Sequence, residues 1–346
     1  MSSTSAFNLF SSLRYDPLLL TSDENSQPAL NFISPSPFYM LVYHRDRMLE
    51  AAQHFEFHEV AKKLVDGEAL HIALLAHVQE WISKAEKKDE PLKVRVLFDK
   101  AANMSLEISP VPSVPISTLY PPSLNLPKPP SPPHPANTEV FKPSPLTGGA
   151  LTLGPTDSLP SNSSTETSEV QAPTWTIRLD SSPTPISPFT LLKTTNRSFY
   201  DISRSRALPS NPSAPACAEV MLFNECQELT EGTVTSLYLF RGGRWVTPPV
   251  GVPAGEFTSG VLKDGEKKGD DMSDEGELRT PFAGRWGHSV RSEKVGSGGQ
   301  RGTTRRWALA KGMCMEEPVG VDTVTVGEGV WVSNGVRGFG FGKVVE

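Results

Sequence analysis

A proline-rich tract cuts this chain of 346 residues in two. From residue 110 to residue 171 the sequence is mostly Pro, Ser and Thr, has few large apolar side chains and contains the run PPSLNLPKPPSPPHP. Proline offers no N–H to a ladder, clashes with the preceding helical turn and pushes the residue before it toward extended conformations. No helix or inner strand runs through such a stretch, so we expect an extended, largely disordered linker. Its PxxP spacings also suit ligands of SH3-type domains, but such spacings arise by chance in any proline-rich tract. Sequence able to build a core lies on either side, at 1–109 and 172–346. The length likewise exceeds what one ordinary core serves. An apolar content of 37% is low for a compact enzyme, and the 32 prolines, many of them clustered, explain the dilution.

The first region opens with short apolar runs at 7–10 and 38–42 that have strand character. From Arg45 the period changes: Met48, Leu49, Ala52 and Phe55 share one helix face. A second helix is predicted over 69–87, where Leu70, Leu74, Val78, Trp81 and Ala85 keep a three-to-four spacing. KVRVLF at 93–98 alternates apolar and basic residues like a half-buried strand, and 101–109 reads as its hairpin partner. In the second region, 174–180 reads as a strand and 191–207 as a strand end feeding a helix. Residues 219–225, 233–240 and 244–249 read as a β-meander punctuated by turns. The last block, 296–346, starts with the glycine-rich turn GSGGQRG, followed by the helix TTRRWALAKGM and short strands around DTVTV, GVWVS and RGFGFGKVV. Between them, 252–295 is polar, carries the mixed-charge run EKKGDDMSDEGE and shows almost no apolar periodicity. It is either a surface insertion or a gene-model artefact such as a translated intron.

Several function classes drop out. A net charge of −6 gives no overall basic field for nucleic acid or an anionic membrane. The three cysteines, Cys217, Cys226 and Cys314, are odd in number and lack CxxC spacing, so they form neither a disulfide framework nor a zinc site. They suit a reducing compartment. The first residues lack the basic and long apolar regions of a signal peptide, and no run reaches the length of a membrane span. A soluble, cytoplasmic protein without a metal is expected.

Each candidate for chemistry is weak by itself. Lys193 follows the apolar pair Leu191 and Leu192. Such a lysine, desolvated beside a cleft, becomes a nucleophile and proton carrier, although an arbitrary lysine is far more often a surface residue. Glu231 alone is a hairpin-turn acid, and Arg47 alone is a solvated arginine near a helix start. Thr303 and Thr304 open a helix after a glycine-rich turn, where free N–H groups and the helix dipole favour an anion. Threonine is also an ordinary N-cap. The small-residue turn from Ser333 to Gly338 follows a strand and alone is only a hairpin.

Taken in order, these residues resemble the class IV aminotransferases, the fold type IV pyridoxal 5'-phosphate (PLP) enzymes, across the chain outside 110–171 and 252–295. The run Tyr43–His44–Arg45–Asp46–Arg47–Met48 is similar to that family's H-x-x-R motif opening a helix, which implies that Arg47 clamps the PLP phosphate. LKTTNR is similar to the family's lysine segment near the domain boundary and implies that Lys193 is the Schiff-base lysine. The run from Glu231 to Tyr238 is similar to E-x-[small]-x-x-N-[apolar]-[aromatic], with Ser236 where Asn is usual. There Glu231 is implied to pair with the pyridine nitrogen, keeping it protonated so that the ring accepts electrons. The run from Arg301 to Arg305 is similar to P-G-[IT]-T-R without its proline, and Ser333 to Val336 to an S-N-G turn. With Arg47, the implied phosphate ligands are Thr304 and the backbone of Thr303, Gly335 and Val336, since a dianion needs several donors.

The implied fold is α/β (α+β) with two domains. Residues 1–109 would form the smaller α/β domain, and 172–346 the larger PLP-binding domain with a β-barrel-like sheet and the insertion at 252–295. A homodimer is the family expectation. Within the superfamily the chain is most similar to fungal-type 4-amino-4-deoxychorismate lyases, through LRYDPLL, KTTNRSFYDISRSRA, RWVTPP, GTTRRWAL and VWVSNGVRGF. The implied reaction yields 4-aminobenzoate and pyruvate, a step of folate synthesis. Its substrate has two carboxylates, for which Arg14 and Arg337 are the candidate partners, with surface or ion-paired arginines as the bland alternative. The first alternative is a transaminase of the same fold, acting on branched-chain, D-amino acid or amine substrates. The second is a non-catalytic, degraded scaffold working through its proline-rich tract.

Overall fold

A computed structural model describes residues 7–84, 89–125, 174–209, 215–250 and 298–346. Met1–Leu124 and Pro173–Glu346 fall in one compact unit and Asn125–Ala172 in another. All elements named here lie in the first.

The N-terminal part builds a three-stranded antiparallel sheet from β1 (Leu9–Tyr15), β2 (Leu92–Phe98) and β3 (Met104–Pro110), in that order. The expected alternation of β2 holds. Leu92, Val94, Val96 and Phe98 are buried in the core, whereas Lys93 and Arg95 take the opposite face. Three helices, α1 (Leu41–His54), α2 (His58–Val65) and α3 (Gly67–Lys84), contribute Met48, Val60, Leu64, Leu74 and Val78 to that core. Fully burying each such side chain stabilises by about 1.5–3 kcal/mol before chain entropy is counted.

Helix α1 starts earlier than the periodicity indicated, and 38–42 is not a strand. Phe38 makes only an isolated bridge to Tyr15, and Met40 sits in the left-handed region at φ 54 just before the helix. A short apolar run has the same appearance in a buried strand and in a buried helix start. Of the second predicted helix, residues 85–87 lie outside the described residues.

The C-terminal part is an eight-stranded sheet that curls around Ile177, Met221, Leu237, Leu239, Val332 and Val344. Its strands are β4 (Trp175–Leu179), β5 (Ala218–Phe223), β6 (Leu229–Gly232), β7 (Ser236–Arg241), β8 (Arg244–Thr247), β9 (Met315–Glu316), β10 (Gly329–Asn334) and β11 (Gly338–Val345). The spatial order is β6-β5-β4-β11-β10-β7-β8-β9. Strand β4 runs parallel to both its neighbours, and β8 runs parallel to β9. The remaining pairs are antiparallel. The expected mixed α/β architecture with a barrel-like sheet is the observed one. Two local expectations change. Glu231 lies within β6 rather than in a turn, and the DTVTV stretch forms a single 3-10 turn at Val321–Thr323 instead of a strand.

The tract expected to be linker departs from that expectation in its first part. Helix α4 (Ile116–Leu119) follows β3, and Leu119, Tyr120 and Leu124 are buried in a core with Tyr39, Tyr238 and Trp307. The Trp331 indole donates to the Leu124 carbonyl at 3.0 Å, and the Tyr120 hydroxyl donates to Asn25 at 2.6 Å. A few aromatic and leucine side chains are enough to anchor a proline-rich backbone that lacks a ladder of its own. Residues 126–171 and 252–295 lie outside the described residues.

Strand β1 fastens the two sheets. One edge pairs with β2. The other reaches the C-terminal part: Phe10 N–H donates to the Lys193 carbonyl at 3.4 Å, and Arg14 N–H donates to the Gly335 carbonyl at 2.9 Å. Thr195 and Asn8 exchange two hydrogen bonds at 2.9 Å, one of them through the threonine hydroxyl.

Candidate active site

These contacts close a cavity of about 320 Å³ between β1, β2 and α1 on one side and β6, β10 and the N-terminus of helix α7 (Thr303–Ala310) on the other, with α5 (Pro188–Leu191) and α6 (Ser198–Ala207) between α4 and α7 in the chain. Lys193 reaches it from the segment after the single helical turn Pro188–Leu191, and Glu231 from β6.

Lys193 and Glu231 are joined through two further side chains. The Lys193 ammonium donates to Gln300 Oε1 at 3.4 Å, and Gln300 Nε2 donates to the Tyr200 hydroxyl at 2.8 Å. That hydroxyl donates to Glu231 Oε1 at 2.7 Å. Burial, reinforced by the cations Arg47 and Arg197, pulls the Lys193 amine well below the ordinary lysine range. Burial pushes the Glu231 carboxyl up, opposed by the Tyr200 and Gln300 hydrogen bonds and by the charges of Lys193 and Arg197. An acid raised and an amine lowered in one cavity are the pair that general acid–base chemistry needs near neutral pH.

The 232–236 turn that follows Glu231 is held by a different carboxylate. Glu219, fully buried on β5, accepts from the Thr233 hydroxyl at 2.5 Å, the Thr235 hydroxyl at 2.7 Å and the Val234 N–H at 3.2 Å. The local sequence T-V-T therefore folds as a threonine clamp on an acid rather than as a continuing strand.

A second cluster lies around Gly335. Arg47 donates to Ser11 Oγ at 2.6 Å and to His44 Nδ1 at 3.3 Å. Because Nδ1 accepts, the His44 proton sits on Nε2. Burial keeps this imidazole neutral, pulling its pKa far down. The Arg47 guanidinium is lowered by burial to about 10, so it stays charged at neutral pH. His44 Nε2, Arg47 Nε and Thr303 Oγ1 are buried without a hydrogen-bond partner among the described residues. A Cβ on Gly335 would stand 2.6 Å from His44 Nε2 and 2.9 Å from Thr303 Oγ1, so glycine keeps this space open. The first N–H groups of α7 have no partner inside their own helix. A permanent cation, orphaned donors and a helix N-terminus in one place suit a phosphate-sized dianion.

Lys193, Glu231, Arg47, Thr303, Gly335, Val336 and Arg337 all line the cavity, as do Lys93, Arg95, Arg197, Gln300 and Ser12. Two expected residues do not line it. Thr304 is fully buried and its hydroxyl pairs with Ser333 Oγ at 2.7 Å, so Thr303, not Thr304, turns a free hydroxyl to the site. Arg14 is buried behind the wall, donating to Asp16 at 2.7 Å, to the Pro112 carbonyl at 2.9 Å and to the Val336 carbonyl at 3.3 Å. The Val336 N–H is engaged by Asn334 Oδ1 at 3.0 Å. Sequence reasoning missed Tyr200 and Gln300. Lys93 and Arg95 had a signal, the basic phase of the β2 alternation. Among the described residues, no group of three His, Cys, Asp or Glu side chains is placed to hold a metal ion, and no helix is long and apolar enough to cross a membrane.

A family model described as amino-transferase class IV matches residues 155–258. No curated protein matches the chain. Among solved structures, a Mesorhizobium loti protein described as a candidate amino-acid aminotransferase shares 16% identity at a TM-score of 0.51, over 98% of this chain and 100% of its own. The 4-amino-4-deoxychorismate lyase of Pseudomonas aeruginosa shares 14% identity at a TM-score of 0.47, over 98% of this chain and 83% of its own. The central segment is thus similar to the class IV aminotransferases, a PLP-dependent enzyme family, and the fold is shared with the Mesorhizobium loti protein over 98% of this chain.

Proposed function

We propose that this enzyme is a lyase that converts 4-amino-4-deoxychorismate to 4-aminobenzoate and pyruvate, with Lys193 and Glu231 as its catalytic residues. The observation that carries the choice of substrate is the charge of the cavity wall. Apart from Lys193, its described lining holds five cationic side chains, Arg47, Lys93, Arg95, Arg197 and Arg337, against the single carboxylate of Glu231. A phosphate claims Arg47, and the remaining excess suits a substrate with two carboxylates better than an amine or a simple amino acid. Arg337 donates to the Ala216 carbonyl and lies 5.6 Å from the Trp175 ring, which sets its guanidinium at the rim. Arg95 shares its charge with Glu107 at 2.7 Å, so Lys93 is the less committed of the two β2 cations.

The donors around Gly335 fit the phosphate of PLP, with Arg47, Thr303 and the Gly335 N–H as its holders, since Asn334 takes the N–H groups of Val336 and Arg337. Glu231 fits the ring nitrogen and Lys193 the aldehyde carbon. When bound, PLP supplies a ring that takes up the electron pair left on the substrate's amine-bearing carbon. Lys193 Nζ has its proton affinity lowered by burial, which would suit it to act as a base beside bound PLP. It takes the proton from the amine-bearing carbon and returns one to the departing pyruvate. The Glu231 carboxylate would hold a proton on the ring nitrogen of bound PLP. The same reading takes the chain as a cytoplasmic homodimer.

The test is to load the purified protein with PLP, supply aminodeoxychorismate and follow 4-aminobenzoate and pyruvate, with Lys193→Ala alongside. Equal amounts of both products from the parent and none from the variant are expected. Conversion of the cofactor to pyridoxamine phosphate without 4-aminobenzoate would replace the lyase with a transaminase. Failure of the parent to bind PLP would remove both.

A further inference from the structure

We propose that Tyr200 and Gln300 are positioning residues of this site, which lock the Glu231 carboxylate in place and link it to the Lys193 amine. The inference rests on the reading of Lys193 and Glu231 just given.

The directions of the hydrogen bonds carry it. Tyr200 is 1% exposed and Gln300 6% exposed, so neither side chain turns to bulk water for a partner. The Tyr200 hydroxyl has one proton and two acceptors within reach, Glu231 Oε1 at 2.7 Å and the Thr190 carbonyl at 3.2 Å. The shorter, charge-assisted bond takes it. The oxygen then needs a donor, and Gln300 Nε2 stands at 2.8 Å. That fixes the amide, leaving Oε1 toward the Lys193 ammonium at 3.4 Å. Every donor in the chain points from Lys193 toward Glu231, with the phenol neutral and donating to the carboxyl. Gln300 holds the acid a second time, through its backbone N–H. The Tyr200 phenol is raised far above its ordinary value, by burial and by Glu231 itself, so it remains a donor at any working pH. Arg197 stacks on the Tyr200 ring at 4.3 Å and donates to the Thr233 carbonyl at 2.7 Å, which stiffens the ring from outside. The charged groups that face Glu231 are therefore Lys193, Arg47 and Arg197, with Tyr200 as the neutral donor.

Removing the phenolic donor leaves a buried carboxylate short of a hydrogen bond, so it holds its proton more tightly. A neutral Glu231 no longer favours the Lys193 ammonium, and the amine then loses its proton at lower pH. Loss of the Gln300 carbonyl acts in the same direction by removing the ammonium's acceptor. A hydrogen bond to a charged group corresponds to a shift of about one pH unit.

The experiment measures the pH midpoint of Lys193 reductive methylation by mass spectrometry, in the full chain without PLP. The variants are Tyr200→Phe, which keeps the ring, and Gln300→Met, which keeps the length. Circular dichroism checks that each is folded. Both midpoints are expected to fall by about one unit, and Gln300→Asn is expected to recover less than half of the drop because its shorter amide cannot span both partners. An unchanged midpoint in either folded variant overturns the proposal. If Tyr200→Phe does not fold, Gln300→Met decides alone. Binding of PLP to the parent, read separately from its visible absorbance, tests the cofactor roles. Those roles can fail while the linkage stands, and the reverse also holds.

Discussion

At the scale of single residues, the site depends on where burial places charge. Glu231 carries the only carboxylate among the described residues of the cavity wall, and it accepts from the Tyr200 hydroxyl and the Gln300 N–H. Glu231→Gln keeps the volume and most of the contacts while removing the charge. On the proposed role it is therefore expected to lower kcat by about 10²-fold with little change in KM, because the lost interaction grows as the ring accepts electrons. A KM rise with kcat intact would instead assign Glu231 to substrate binding. Lys193, Glu231 and Arg47 were legible because each sits in a short run whose order is itself a signature. Tyr200 and Gln300 were not. Their partners lie 31 and 107 residues away in sequence, and a tyrosine inside a helix or a glutamine in a glycine-rich turn has no local pattern to mark it.

At the scale of elements, the turn between β10 and β11 shows how backbone shape makes room for an anion. Asn334 Oδ1 accepts from the N–H groups of Val336 and Arg337 at 3.0 and 2.9 Å, folding the turn on its own side chain. Arg14 pins it from behind through the Gly335 and Val336 carbonyls. Gly335→Ala would drive a methyl group against His44 and Thr303, both buried. Overpacking of this kind costs about 1–3 kcal/mol. The urea midpoint is expected to fall accordingly and, on the proposed role of this turn, PLP retention to fall with it, since the methyl would fill the space that the phosphate would take. Retention unchanged in a destabilised variant would detach the turn from anion binding. The sequence marked this turn by its small residues but misassigned Arg14, whose role depends on a loop more than three hundred residues away and on Pro112. It likewise read 110–125 as linker. Prolines forbid a ladder there, yet Leu119, Tyr120 and Leu124 supply enough apolar surface to join a core without one.

At the scale of the whole molecule, the two sheets enclose an amine that the fold itself holds at a cost. Lys193 is lowered in the folded chain relative to its ordinary value of about 10.5. Between the folded and unfolded values the unfolded chain binds the additional proton, so the slope of stability with pH from this group is positive. The chain without PLP should therefore gain stability from Lys193 as pH rises from neutrality, until the unfolded lysine also loses its proton. Lys193→Met removes the titrating group while keeping the apolar stem. At pH 7 the variant is expected to melt higher than the parent, and the gap is expected to narrow as pH rises toward the ordinary lysine range. Thermal melts of both chains at matched ionic strength measure the gap directly. A gap that stays constant would mean that the amine keeps its proton inside the fold, in which case it could not serve as a base near neutral pH.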